Sequence, residues 1–134
     1  MKLQPDPVLV SYIKAILGRK AMGLAVLDVR KLTSLADVFM ICSGKSNRQV
    51  TAIAEHIQRE LKKQGIKPLS VEGFQEGHWA LLDYGHVIIH VFYEPIRSFY
   101  DLEGLWTDAR RIDIEEAYPG ISKIAFQQED LDDE

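Results

Sequence analysis

Residues 36–65 decide the fold and read ADVFMICSGKSNRQVTAIAEHIQRELKKQG. The first seven, ADVFMIC, are apolar almost throughout, which is typical of a strand that is covered on both faces. Ser46 and Gln49 then match the pattern of a capping box, so we expect a helix to begin there. The apolar residues of this helix recur every three or four positions, and Gly65 is a natural left-handed end. A buried strand followed by an amphipathic helix predicts an α/β domain.

The same patterns continue on both sides of this unit. A first helix is predicted from Asp6-Pro7, with Met22-Gly23 closing it. The other predicted elements are strands at Leu24–Val29, Pro68–Val71 (near an edge because of its proline), Trp79–Asp83 and His86–Tyr93, and a helix at Ile96–Trp106. The order α-β-β-α-β-β-β-α predicts a single α/β domain with a mixed five-stranded sheet and flanking helices.

The pattern weakens after Trp106, so we expect a domain over residues 1–106 and a charged C-terminal extension over 107–134. The segment DARRIDIEEA can continue the last helix, and Pro119-Gly120 would break it. The final EDLDDE is acidic and is expected to be disordered.

Composition restricts the class of protein. The 134 residues fit one domain, and the net charge of -4 argues against a direct grip on nucleic acid phosphates. A mildly acidic protein is better suited to a basic protein partner. Cys42 is the only cysteine, the N-terminus lacks a secretory pattern, and no apolar run reaches the ~20 residues of a membrane span. We therefore expect a cytoplasmic protein.

Chemistry-bearing residues are present but poorly arranged for catalysis. His86 and His90 fall four apart on a strand and share a face there, ~13 Å apart, too far to ligate one metal. Ser43-Gly44-Lys45-Ser46 is placed like a phosphate loop, but Phe39 stands where that loop needs a glycine. Cys42 lies in an apolar strand, where cysteine is usually inert. No metal, no cofactor and no catalytic residue is predicted.

Aromatic and acidic residues concentrate between residues 71 and 106. Phe99, Leu102 and Leu105 have helical spacing and are expected to face the sheet. The remaining aromatic side chains exceed what one hairpin and one short helix need to bury, and carboxylates are interleaved with them. Aromatic anchors ringed by carboxylates suit a basic protein partner, but a core with a solvated rim fits the residues equally well.

Several segments together resemble a known family. AVLDV, ADVFMICSGKSNRQV, VEG, HWALLDYGHVIIHVF and YDLEGLW, in this order, resemble the bacterial ribosomal silencing factor family, also called Iojap-like. The resemblance implies a nucleotidyltransferase-like sheet without transferase activity. It also implies binding to ribosomal protein fourteen of the large subunit (uL14), a block on subunit joining when nutrients run short, and possible homodimers. A nucleotidyltransferase-like enzyme and an RNA-binding protein are the alternatives.

The resemblance also points to particular residues. Family positions are matched by Trp79, Asp83, Tyr100, Leu102, Leu105 and Trp106. Trp79 and Tyr100 are the expected anchors for the partner. The carboxylates expected to meet basic side chains, on charge and position, are Glu72, Glu94 and Asp101.

Overall fold

A computed structural model of the chain describes residues 6–123. Within them the helices are α1 (Leu9–Leu17), α2 (Asn47–Lys62), α3 (Glu94–Tyr100), α4 (Leu102–Leu105) and α5 (Ile114–Ala117). The strands are β1 (Met22–Asp28), β2 (Val38–Gly44), β3 (Ser70–Glu72), β4 (Trp79–Asp83), β5 (Val87–Tyr93) and β6 (Arg110–Arg111). They form one mixed sheet in the order β3-β4-β5-β2-β1-β6, in which only β2 and β5 are parallel neighbours.

Strand β2 and helix α2 form the unit that the sequence predicts. All seven residues of β2 are buried, although the strand is shifted by two residues from the predicted Ala36–Cys42. The Oγ of Ser46 accepts a hydrogen bond of 3.1 Å from the backbone N–H of Gln49, which confirms the N-cap. The hairpin around Tyr84-Gly85 and the edge position of β3 are confirmed too.

The two faces of the sheet are covered differently. Helices α1 and α2 pack on one face, and side chains such as Ile13, Ile53 and Ile89 form the larger core there. The opposite face has a smaller core around Phe39, Ile41 and Phe92. Half-buried side chains from α3, α4 and the segment after them pack on that second core, so the cover on this face is partial.

The last predicted helix, Ile96–Trp106, is wrong as a single element. Two short helices occur instead, and Asp101 between them adopts a left-handed conformation with φ +46°. A residue in that region ends the helical hydrogen-bond pattern and turns the chain. Because α4 therefore starts in a new direction, the helical spacing that placed Phe99 and Leu105 on the sheet no longer applies.

Residues 108–117 do not continue a helix. Arg110 and Arg111 form a sixth strand beside β1, and the N–H of Ile112 donates to the carbonyl of Val26 at 2.9 Å. Asp113 then caps α5 by accepting from the N–H groups of Glu115 and Glu116. A new cap at Asp113 is incompatible with a helix running through from Trp106, so the sheet has six strands where five were expected. The predicted disordered end, EDLDDE, lies outside the described residues.

Helix α1 and strand β1 also differ from their predicted bounds. Helix α1 begins at Leu9 rather than at Asp6-Pro7, and Asp6 accepts a hydrogen bond from the N–H of Val8. Met22-Gly23 opens β1 instead of closing the helix. Gly23 has φ +58° and lies where the pairing with β2 is irregular. The glycine that was predicted to end the helix therefore lies in a β-bulge.

The loop that leads into β4 depends on a buried glycine. Gly77 has φ +73°, and a Cβ there would collide with the carbonyl oxygen of Asn47 at the start of α2. Gly65 has a similar φ of +77° with open space around it. We expect Gly77→Ala to lower the free energy of unfolding by about 3 kcal/mol or more, because strain and collision add. Gly65→Ala should cost only about 1 kcal/mol. Urea unfolding measures both, and equal losses would contradict the close contact.

Candidate interaction surface

The open part of the second sheet face carries three of the predicted site residues. Trp79 and Asp83 are four apart on β4 and therefore point to the same side. Glu72 on β3 is directly opposite Leu81 of β4, so its side chain lies on that side as well. The sheet thus places Glu72, Trp79 and Asp83 on one face, around a half-buried Leu81.

Trp79 is half buried in a group of rings. Its ring centroid is 4.7 Å from that of Phe92 and 5.1 Å from that of Tyr100. The indole N–H donates a hydrogen bond of 3.1 Å to Nδ1 of His90, the residue that pairs with Leu81. Trp79 therefore supports Tyr100, the other expected anchor, and is itself held in one orientation.

His90 is buried beneath Trp79, and burial lowers its pKa to about 4. Because Nδ1 accepts the hydrogen bond from Trp79, a neutral imidazole carries its proton on Nε2. That Nε2 atom has no hydrogen-bond partner among the described residues. Protonation of Nδ1 would remove the acceptor for Trp79, so the orientation of Trp79 depends on a neutral His90.

The segment from α3 to α4 presents apolar side chains to solvent. Phe99 is 80% exposed, Leu105 76% and Tyr100 51%, and the rings of Phe99 and Tyr100 meet edge to face at 5.2 Å. The prediction that Phe99 and Leu105 face the sheet is wrong, whereas Leu102 does pack against the second core. The helical spacing was followed across Asp101, whose role as the N-cap of α4 was not recognised, so sequence reasoning missed Phe99 and Leu105 as surface residues.

The other expected site residues have structural contacts of their own. Trp106 is half buried and packs edge to face on Phe39 at 5.1 Å. Asp83 accepts a hydrogen bond of 2.8 Å from the N–H of Gly85 in the hairpin turn, and Asp101 accepts one of 3.2 Å from the N–H of Gly104. Glu94 is exposed at the start of α3. A role in binding stays a prediction for all of them.

The prediction that His86 and His90 share a face of the sheet is wrong. His86 lies in the turn before β5 with its ring against Tyr12 of α1, whereas His90 lies on the other face of the sheet. Strand alternation does not reach His86 because β5 begins one residue later, at Val87. Residues 6–123 contain no group of three His, Cys, Asp or Glu side chains placed to hold a metal ion.

Complete burial raises the pKa of the Cys42 thiol to about 12, so this cysteine stays a thiol at neutral pH.

A cleft of about 490 Å³ lies at the other end of the sheet. Its walls carry charges of both signs, including an ion pair of 2.6 Å between Arg30 and Asp28, and Arg30 lowers the pKa of that carboxyl. None of the predicted site residues lines this cleft.

Fold and surface together define a mixed α/β domain whose sheet is covered by helices on one face and partly open, with aromatic and acidic side chains, on the other. A family model described as "Ribosomal silencing factor during starvation" matches residues 4–133. The chain belongs to that family.

Individual relatives agree with this assignment. The chain is 41% identical over 97 residues to ribosomal silencing factor RsfS of Bacillus subtilis, covering 72% of this chain and 82% of that one. It is 35% identical over 105 residues to the chloroplastic protein Iojap of Zea mays, covering 78% of this chain and 46% of the longer relative. A crystal structure of a Chromobacterium violaceum protein is similar to this chain with a TM-score of 0.73 at 36% identity, covering 78% of this chain and 88% of that one.

Among the helices of residues 6–123, none has the length and apolar character that a membrane span requires.

The buried His90 makes stability depend on pH. The unfolded chain takes up a proton on this histidine near pH 6.5, whereas the folded protein resists until about pH 4. The free energy of unfolding should therefore fall as the pH drops from 6.5 to 4, by about 3 kcal/mol from this group. In His90→Phe the other titrating groups are unchanged, so its stability should fall less over the same range. Urea unfolding at several pH values measures this, and parallel profiles for the two proteins would contradict the assignment.

Proposed function

We propose that this chain binds the large ribosomal subunit through ribosomal protein uL14 and thereby blocks joining of the small subunit, in the cytoplasm, when nutrients run short. The observation that carries the proposal is the partly open sheet face with its aromatic and apolar centre. Membership of the ribosomal silencing factor family supports it. Self-association and a nucleotidyltransferase-like sheet without enzymatic activity stay predictions.

The surface has the chemistry that a basic protein partner needs. Trp79, Tyr100 and Phe99 form a connected group of exposed or half-buried rings, and Leu105 adds an exposed apolar side chain on α4. Glu72 and Asp101 are exposed carboxylates beside that area, and the whole chain has a net charge of -4. Aromatic side chains at the centre of an interface contribute most of its affinity, whereas rim charges chiefly guide encounter and exclude wrong partners.

Steric exclusion needs no chemistry at the surface. A stable protein interface buries roughly 800 Å² on each partner, and the chain bound at that scale would occupy a site that the small subunit must contact. The mechanism then depends only on affinity and on where the chain sits. It predicts co-sedimentation with free large subunits and fewer assembled ribosomes as protein is added.

Trp79 provides the first test of this surface. We expect Trp79→Ala to weaken binding to large subunits by about 2 kcal/mol or more, because it removes an anchor and the support of Tyr100. Binding is measured by co-sedimentation with purified large subunits, and subunit joining by light scattering. Circular dichroism verifies that the variant is folded. A folded Trp79→Ala protein that binds and blocks joining like the wild type would contradict the proposal.

Leu105 tests whether α4 belongs to the interface. Leu105→Asp places a charge on an exposed position, so it should leave stability nearly unchanged while weakening binding at least tenfold by burying an unpaired carboxylate. Val8→Asp is the matched control, because Val8 is 50% exposed at the start of α1, on the face covered by helices. Equal affinities of the two variants would show that Leu105 is not part of the binding interface.

A further inference from the structure

Arg97 connects α3 to strand β2 of the sheet and to α4. Its side chain is mostly buried, its Nε donates a hydrogen bond of 2.8 Å to Oε1 of Glu103, and its Nη1 donates one of 2.9 Å to Oγ of Ser43. Ser43 is buried near the end of β2. One guanidinium group therefore joins a central strand of the sheet to the short helix α4.

Glu103 extends the same connection to β6. Its second carboxylate oxygen, Oε2, accepts a hydrogen bond of 2.8 Å from Nη2 of Arg111. The hydrogen bond from Arg97 is the main cause of a lowered Glu103 pKa, so the carboxylate is charged at neutral pH. Both oxygens of Glu103 are thus used, one towards α3 and one towards β6.

Gly23 makes room for this arrangement. A Cβ at Gly23 would lie 3.1 Å from Nη1 of Arg97, so the guanidinium group lies over the β1 backbone where a side chain would intrude. Arg97 therefore contacts β1 and β2 as well as α4. Lysine has one flexible ammonium and lacks the planar fork that donates in two fixed directions at once.

The segment between Arg97 and Glu103 carries the exposed rings of the proposed interface. Phe99 and Tyr100 lie within it, followed by Asp101 with its φ of +46°. Helices α3 and α4 have seven and four residues, too few to be stable without tertiary contacts. We propose that Arg97 is a positioning residue that, through Ser43 and Glu103, holds the α3–α4 segment in the orientation that presents Tyr100 to the partner. The proposal rests on the proposed function, because it concerns the same surface.

A double-mutant cycle tests this role. Affinity for purified large subunits is measured for Arg97→Met, Tyr100→Ala and the double variant. We expect Arg97→Met to weaken binding about tenfold. If Arg97 acts by orienting Tyr100, the double variant should bind no more than about twofold more weakly than Tyr100→Ala alone. Fully additive losses, or Arg97→Met with wild-type affinity, would overturn the proposal.

Two further variants separate positioning from general stability. Arg97→Lys keeps the charge and most of the stem, so it carries the same cycle if Arg97→Met does not fold; binding restored to wild type by lysine would overturn the proposal. Arg30→Met breaks another arginine–carboxylate pair, with Asp28 at the far end of β1, and should bind normally. An equal loss of affinity in Arg30→Met would show that Arg97 affects binding only through general stability, and would overturn the proposal. Wild-type affinity in Tyr100→Ala would instead overturn the proposed surface itself.

Discussion

The parallel pairing of β2 with β5 is the constraint on which the rest of the molecule depends. Parallel neighbours cannot be joined by a tight turn, so the chain between them has to cross over. The connection contains α2, β3 and β4: the helix packs on one face of the sheet, and the two strands extend the sheet beyond β5. Helices α1 and α2 pack on this face, and α3 and α4, which follow β5, lie on the opposite one.

Helices α3 and α4, which follow β5, form a short cover on the second face, whereas Ile112, Ile114, Tyr118 and Ile121 further along pack on the larger core. Helices α3 and α4 rest on the second core through half-buried side chains such as Leu102 and Trp106. They leave the face of β3 and β4 open, where Trp79 lies between Phe92 and Tyr100. Trp79 thus has two roles. Part of its ring packs against Phe92 and Tyr100, and the exposed part contributes to the proposed interface. The buried His90 ties the two roles together by fixing the indole ring.

The sequence predicted the features that depend on local pattern. A run such as VFMIC indicates a buried strand, and Ser46 with Gln49 marks the start of α2, because both signals reside in neighbouring residues. The break at Asp101 was not predicted, because helical spacing was followed across this residue, although aspartate tolerates positive φ better than most residues and caps α4 by accepting from the N–H of Gly104. The pairing of Arg110 and Arg111 with β1 is a long-range contact with no local signature. Family resemblance pointed to Trp79 and Tyr100, but their contact with each other, and the exposure of Phe99 and Leu105, required the register of the strands and the turn after α3.

The partly open sheet face, and not the helix-covered face or the charged cleft, is the surface that we propose meets the ribosome. A cryo-electron microscopy structure of the chain bound to purified large subunits tests this most directly. We predict that Trp79, Tyr100 and Leu105 are buried against uL14, with α1 and α2 facing away. A complex in which the α1–α2 face or the cleft around Asp28 and Arg30 contacts the subunit, with Trp79 and Tyr100 free, would contradict it.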